Sequence, residues 1–189
     1  RQGPRLVSNT AILRSSLTGS VQTISRPGER WEMRLSWQAL TPAQFAQVFG
    51  FFTRLNGAEH RARIPIFGYV RQGGGAGPVT VNGGSQTGAS LLVSGLTGVG
   101  AGAISAGDLF SYNELKVATA DVNSSSPTIP MMPQVRSSPS GGASVDLSDP
   151  IYGDFILVSP VDQQVSSRVQ GNSTYLHSLE LDFIEQITA

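Results

Sequence analysis

Along residues 31–37 apolar and polar positions alternate strictly, with Trp31, Met33, Leu35 and Trp37 on one side and Glu32, Arg34 and Ser36 on the other. A period of two predicts a strand with one buried and one wetted face. The period then changes. Thr41 stands where an N-cap belongs, Pro42 takes the first helical position, where its missing N–H costs nothing, and Gln44 completes a capping box. Phe45, Val48, Phe49, Phe52 and Leu55 follow at helical spacing, Phe51 widens the apolar stripe, and Asn56-Gly57 offers a left-handed stop. This spacing predicts a helix over 42–56. Trp31, Trp37, Phe45, Phe49 and Phe52 are the expected core nucleus, because large aromatic side chains dominate core energetics.

The flanking pattern is weaker. Before residue 31 the chain reads as an arm up to Pro4, short strands at 11–13 and 20–24, and a turn at Arg26-Pro27-Gly28-Glu29. Arg61 to Val70 carries Ile64, Ile66 and Phe67 around Pro65, which suits an edge strand, since proline gives no ladder donor. Gly73, Gly74, Gly75 and Gly77, ending at Pro78, read as a flexible hinge. Beyond it, to about residue 160, no helical period appears. Strands are expected near 79–82, 90–93, 109–111, 115–118, 128–131, 144–147 and 155–157, separated by turn signals such as Asn82-Gly83-Gly84 and Ala106-Gly107-Asp108. From 175 to 187 alternation returns, with Tyr175, Leu179, Leu181 and Phe183 opposite Ser178, Glu180 and Asp182. This terminal strand is expected to pair with the first unit, leaving the middle as an insertion whose entry and exit lie close together. The fold class expected is mainly β (α+β): a β-sandwich domain with one amphipathic helix at 1–72 and 166–189, and an inserted small β-barrel or β-sandwich at 73–165.

Charge and chemistry narrow the function. The 13 basic and 13 acidic residues cancel and form no block, so the footprint of a sequence-specific nucleic-acid binder is missing. With no cysteine, disulfides and thiolate chemistry are removed. No apolar run approaches a membrane span and no secretion leader is visible; the start at Arg1 without Met reads as a trimmed end. His60 and His177 stand far apart, without metal-ligand spacing. Gly83-Gly84-Ser85-Gln86-Thr87 lacks the last glycine of a nucleophile elbow, and the string from Gly98 to Ala103 precedes no helical pattern that could hold a phosphate. Asp146, Asp149 and Asp154 gather around Pro150 as turn residues do. Asn123-Ser124-Ser125 and Asn172-Ser173-Thr174 fit glycosylation acceptors but carry little weight without a secretion signal. No catalytic residue, cofactor or metal is expected.

The order of several short strings resembles a known family. Thr18 to Thr23, then Arg26-Pro27-Gly28-Glu29-Arg30-Trp31, the entry Leu40 to Ala43, and a helix ending Arg54-Leu55-Asn56-Gly57 are similar to the N-terminal half of the distal tail proteins of bacteriophages with long, non-contractile tails. Val81-Asn82-Gly83, Gln86-Thr87-Gly88, Ala106 to Phe110 and the Pro133 to Pro139 segment resemble their inserted β-domain. The resemblance implies a belt domain related to tail-tube folds, and an outward inserted β-barrel or galectin-like domain. It also implies a virion protein at the distal end of the tail, made in the bacterial cytoplasm. Such proteins form a six-fold ring joining the tail tube protein to the tail-tip or baseplate hub, with DNA passing through the lumen and tape-measure or fibre proteins as further neighbours. Candidate contacts between subunits are Arg5 in the arm, Arg26, Glu29 and Arg30 in the turn, and Arg61 and Arg63 after the helix. The alternative is a module that binds host-surface carbohydrate or anchors a fibre. For sugar stacking the insert offers only Phe110, Tyr112, Tyr152 and Phe155, most of them expected in the core.

Overall fold

The computed structural model describes residues 3–25, 28–75, 77–98, 102–124, 127–158, 165–170 and 174–186. In chain order its strands are β1 (Arg5–Val7), β2 (Thr10–Arg14), β3 (Val21–Ser25) and β4 (Arg30–Leu40), followed by helix α1 (Pro42–Thr53) and β5 (Arg61–Pro65). Then come β6 (Val79–Val81), β7 (Gly88–Ser94), β8 (Leu109–Ser111), β9 (Leu115–Ala118), β10 (Thr128–Val135) and β11 (Ser144–Val145). The chain closes with β12 (Tyr152–Leu157), β13 (Val165–Gln170) and β14 (Thr174–Glu185). The protein is mainly β, as its alternation predicts.

One sheet runs β1-β4-β14-β12-β5, with β13 paired to β14. The two strongest alternating stretches lie side by side, Met33 opposite Phe183 and Leu35 opposite Leu181. Trp31, Met33 and Leu35 therefore share a buried face with Leu179, Leu181, Phe183, Phe155 and Leu157. The other face is polar, and on it Arg34 reaches Asp182 at 2.6 Å and Glu180 at 3.1 Å. Helix α1 packs across one end of the buried face through Phe52, whose ring lies 5.4 Å from both Trp37 and Phe183. Its start is the expected capping box, with Gln44 N donating to the Thr41 hydroxyl and Thr41 N donating to Gln44 Oε1. The helix stops at Thr53, short of the expected 56. The chain then turns through Asn56 and Gly57, both at positive φ. The expected nucleus is divided: Trp31 and Phe52 are in the core, whereas Trp37, Phe45 and Phe49 are half-buried at its rim, and Phe51 is 51% exposed. The apolar stripe of the helix is wider than the patch of sheet beneath it.

The second sheet runs β11-β6-β7-β10-β9-β8. Ser111 and Asp146 exchange backbone bonds of 3.1 and 2.7 Å, linking the end of β8 to the residue after β11, so the sheet nearly closes into a barrel. Its interior is filled largely by aliphatic side chains such as Val79, Leu91, Val93 and Ile129 around Phe110.

Three expectations are corrected. The strand at 155–157, assigned to the middle unit, belongs to β12, which pairs with β14 and β5 in the first sheet. Phe155 and Leu157 alternate inward onto the aromatic core there. Strand β13 was not anticipated, because Val-Ser-Ser-Arg-Val-Gln has only two apolar residues; it forms by pairing along β14. The glycine run is no free hinge over 73–75. Gly74 N donates to Gly102 O at 3.1 Å and Gly75 N to Ala103 O at 2.9 Å. A methyl group at Gly73 or Gly75 would lie 2.7 or 2.5 Å from the Ala103 carbonyl oxygen, so these glycines permit close backbone approach.

Candidate functional site

The residues proposed for subunit contact fall on the two opposite edges of the first sheet. On the β1 side, Glu32 holds Arg5 at 2.8 Å and Arg30 at 3.5 Å, and Glu29 is half-buried next to Arg30. Arg26 lies outside the described residues. On the β5 side, Arg61 is exposed, and Arg63 lies over the Tyr152 ring at 5.2 Å and approaches Asp146 of the second sheet at 3.6 Å. Exposed pairs of this kind contribute little to stability. Opposite edges are what a head-to-tail assembly uses, because each subunit must present two different surfaces.

Where the two sheets meet, the structure builds a buried polar junction that sequence reasoning missed. Trp31 Nε1 on β4 donates to the Leu115 carbonyl on β9 at 2.7 Å. Leu115 N donates back across the junction to Glu185 Oε1 on β14, also at 2.7 Å, and Trp31 N donates to Glu185 Oε2 at 3.4 Å. Glu114, in the bend just before β9, and Lys116 on it flank Leu115, and their side chains meet. Lys116 Nζ, on a residue with no exposed surface, bonds Glu114 Oε2 at 2.5 Å and the Gln134 carbonyl at 2.9 Å. Ser137 N donates to Glu114 Oε1 at 3.4 Å, and Arg136 approaches Glu185 at 3.9 Å. Burial pushes the Glu185 carboxyl above its usual range despite its two N–H donors and Arg136. Burial likewise pulls Lys116 down against the attraction of Glu114. Two acids and two bases thus cancel inside the fold, and the terminal strand is tied to the barrel. The one local signal was Glu-Leu-Lys at the start of a short strand, with opposite charges flanking a leucine.

A second clamp lies on the buried Asp108. Its carboxylate accepts from Gln72 N and Gly73 N at 2.8 Å each, from Ser105 N at 2.9 Å and from the Tyr69 hydroxyl at 3.1 Å. Burial acts to raise its pKa, but the three backbone donors outweigh that and hold it below the usual carboxylate value. Burial, opposed by the bond to Leu109 N, pushes Tyr69 up to about 12. The segment after β5 is therefore anchored to the barrel before the glycines begin.

The sheet formed by β2 and β3 is the opposite case. Among the described residues it joins neither larger sheet. Ile12 and Leu13 are adjacent and so face opposite sides, opposite Thr23 and Gln22. Both are more than half exposed, as is Val21. The tip is bonded within itself: Ser15 N donates to Ser20 O, Gly19 N to Ser15 O, and Thr18 N to the Ser15 hydroxyl. It holds Leu17 at 95% exposure.

The other candidates stay apart. His177 stacks on Phe45 at 4.5 Å and bonds the Ser167 hydroxyl at 2.9 Å, while His60 caps the turn after α1 by donating its N–H to Leu55 O. Among the described residues no group of three His, Asp or Glu side chains could hold a metal ion. None of the helices there is long and apolar enough to cross a membrane. Residues 99–101 of the glycine string and 172–173 of the second glycosylation signal lie outside the described residues; after the string the chain continues with Ile104 bridging Val122, not with a helix. Of the aromatics considered for sugar stacking, Phe110, Tyr112 and Phe155 are buried. Tyr152 lines a cleft of about 700 Å³ between the sheets, but Arg63 covers its face. Compared with known proteins, the chain matches no family model and no curated sequence.

Proposed function

We propose that the chain is a structural subunit of a phage tail, a ring-forming adaptor that joins the tail tube to the tip or baseplate hub and lets DNA pass through its lumen. In this reading the first sheet with α1 is the belt that closes the ring, and the barrel is an outward insertion. The observation that carries the proposal is the β2–β3 hairpin. A two-stranded hairpin is marginal in water by itself, and this one exposes Ile12, Leu13, Leu17 and Val21. Such a surface is completed by a neighbour, and a ring supplies one for every subunit. The polar face of the first sheet suits a lumen: its arginines are matched by Glu32, Glu180 and Asp182, and a surface without excess positive charge does not retain phosphates.

The test is the mass of the purified protein by light scattering on a sizing column, with particles viewed by electron microscopy. The proposal expects rings of about six copies, alone or on adding tail-tube protein. A stable monomer under both conditions overturns it. Glycan-binding screens on the barrel would then take up the second reading, the carbohydrate or fibre module, starting from the cleft beside Tyr152.

A further inference from the structure

The fold carries a hollow as well as a knob. Strand β4 departs from regular pairing near its end: Leu179 faces Trp37 but His177 faces Leu40, so β4 holds one residue more than β14 over this stretch. The extra residue is a bulge, and Ala39 within it takes the left-handed conformation at φ 56. Trp37 and Leu40, three apart, thereby come to line the same hollow. Its remaining wall is Leu35, Ser36, Gln38 and Phe67, and its volume is about 280 Å³, room for an aliphatic side chain.

We propose that Leu17 at the tip of the β2–β3 hairpin inserts into this hollow on a second copy of the chain, and that repetition of this contact builds the assembly. The inference rests on the ring reading above and adds to it the two surfaces that meet. Leu17 does not fill the hollow of its own chain, because it is 95% exposed. The tip that carries it is fixed by its own hydrogen bonds, so docking orders little that is not already ordered. Ile12 and Val21, which share one face of the hairpin, expose with Leu17 on the order of 350 Å² of apolar surface. That is a little under half of the roughly 800 Å² that one partner contributes to an interface of standard size; the exposed Phe51, Phe67 and Val70 offer further apolar surface to a partner. A protruding apolar residue that fits a pocket elsewhere on the same chain makes a heterologous contact, which generates a ring when the rotation closes and a filament when it does not. Burying a leucine is worth about 1.5–3 kcal/mol, so Leu17→Ala is expected to weaken self-association roughly 10- to 100-fold.

The chain has no cysteine, which makes disulfide trapping direct. Thr18→Cys with Gln38→Cys keeps Leu17 and the apolar wall of the hollow, Leu35, Trp37, Leu40 and Phe67, and removes only the Thr18 hydroxyl bonds at the tip and one polar residue at the hollow. On oxidation, the double variant is expected to give a ladder of covalent multimers, and Thr18→Cys with Val158→Cys is expected to give none. A Thr18→Cys variant that traps only dimers would show hairpins pairing with each other and overturn the inference. Multimers by mass with no ladder would place the hairpin elsewhere, overturning the inference and leaving the ring reading intact. A protein that stays monomeric with no ladder removes both.

Discussion

The junction between the sheets and the β2–β3 hairpin invert the usual placement of residues in opposite ways. At the junction, charged side chains are inside: Glu114, Lys116 and Glu185 are buried. At the hairpin, leucines and isoleucines are outside. Burying charge is tolerated where charges find partners: the bonds from Lys116 to Glu114 and from Leu115 N to Glu185 supply them within one chain, while Arg136 has only an ion pair of 3.9 Å with Glu185, its two terminal nitrogens making no hydrogen bond. Exposing apolar side chains on an isolated hairpin finds no such compensation among the described residues. One region finds most of its partners in a single copy; the other, among the described residues, does not. A subunit built this way holds its two sheets in a fixed relation while leaving one arm for a neighbour.

The comparison can be broken first at the charges. Glu114→Ala leaves Lys116 buried without its acid, and breaking a buried pair costs about 3–5 kcal/mol, read as a fall in Tm. A smaller loss is expected at the clamp. Gly75→Ala sets a methyl group 2.5 Å from the Ala103 carbonyl oxygen, and forcing atoms into a filled space costs about 1–3 kcal/mol. A true hinge glycine would accept alanine without loss.

The pH dependence sharpens the junction further. Glu185 titrates above its ordinary 4.5 in the fold, so its contribution to stability is full below about that pH and is lost as pH rises through the raised value. Asp108 runs the other way: its folded value lies below 3.8, so its contribution is present above that pH and lost on acidification. Glu185→Gln removes only the first trend. The Tm of the variant relative to the native protein is therefore expected to rise as pH increases above 4.5, followed by thermal melts in matched buffers. The smallest effect on the single chain belongs to the hairpin. Leu17→Asp is expected to change monomer stability by less than about 0.5 kcal/mol, by denaturant unfolding at low concentration, while abolishing self-association.

Local features were readable from the sequence because their causes are local. Thr41, Pro42 and Gln44 determine the helix start among themselves, and strands β8 and β9 appear at the expected residues because Gly107-Asp108 and the turn at Asn113 bound them. The alternation of the terminal stretch was enough to return it to the first unit; that its neighbour there is β4 comes from the structure. What did not show was every feature set by distant residues. The junction unites positions 114, 116, 136 and 185, which no window joins. The glycines at 73–75 have the composition of a linker, and only the approach of Ala103 shows their purpose. The bulge at Ala39 depends on the register against β14, which the β4 sequence does not contain. The exposed hairpin was read as two strands, but that among the described residues they join no larger sheet is a property of topology.

The contrast between the junction and the hairpin is tested most directly by amide hydrogen exchange on the native protein at dilute and at concentrated conditions. The amides of Leu115, Gly73 and Gly75 are expected to be equally protected in both, and those of β2 and β3 to gain protection on concentration. Hairpin amides that are already fully protected in the dilute monomer, or that gain nothing on concentration, would contradict the account.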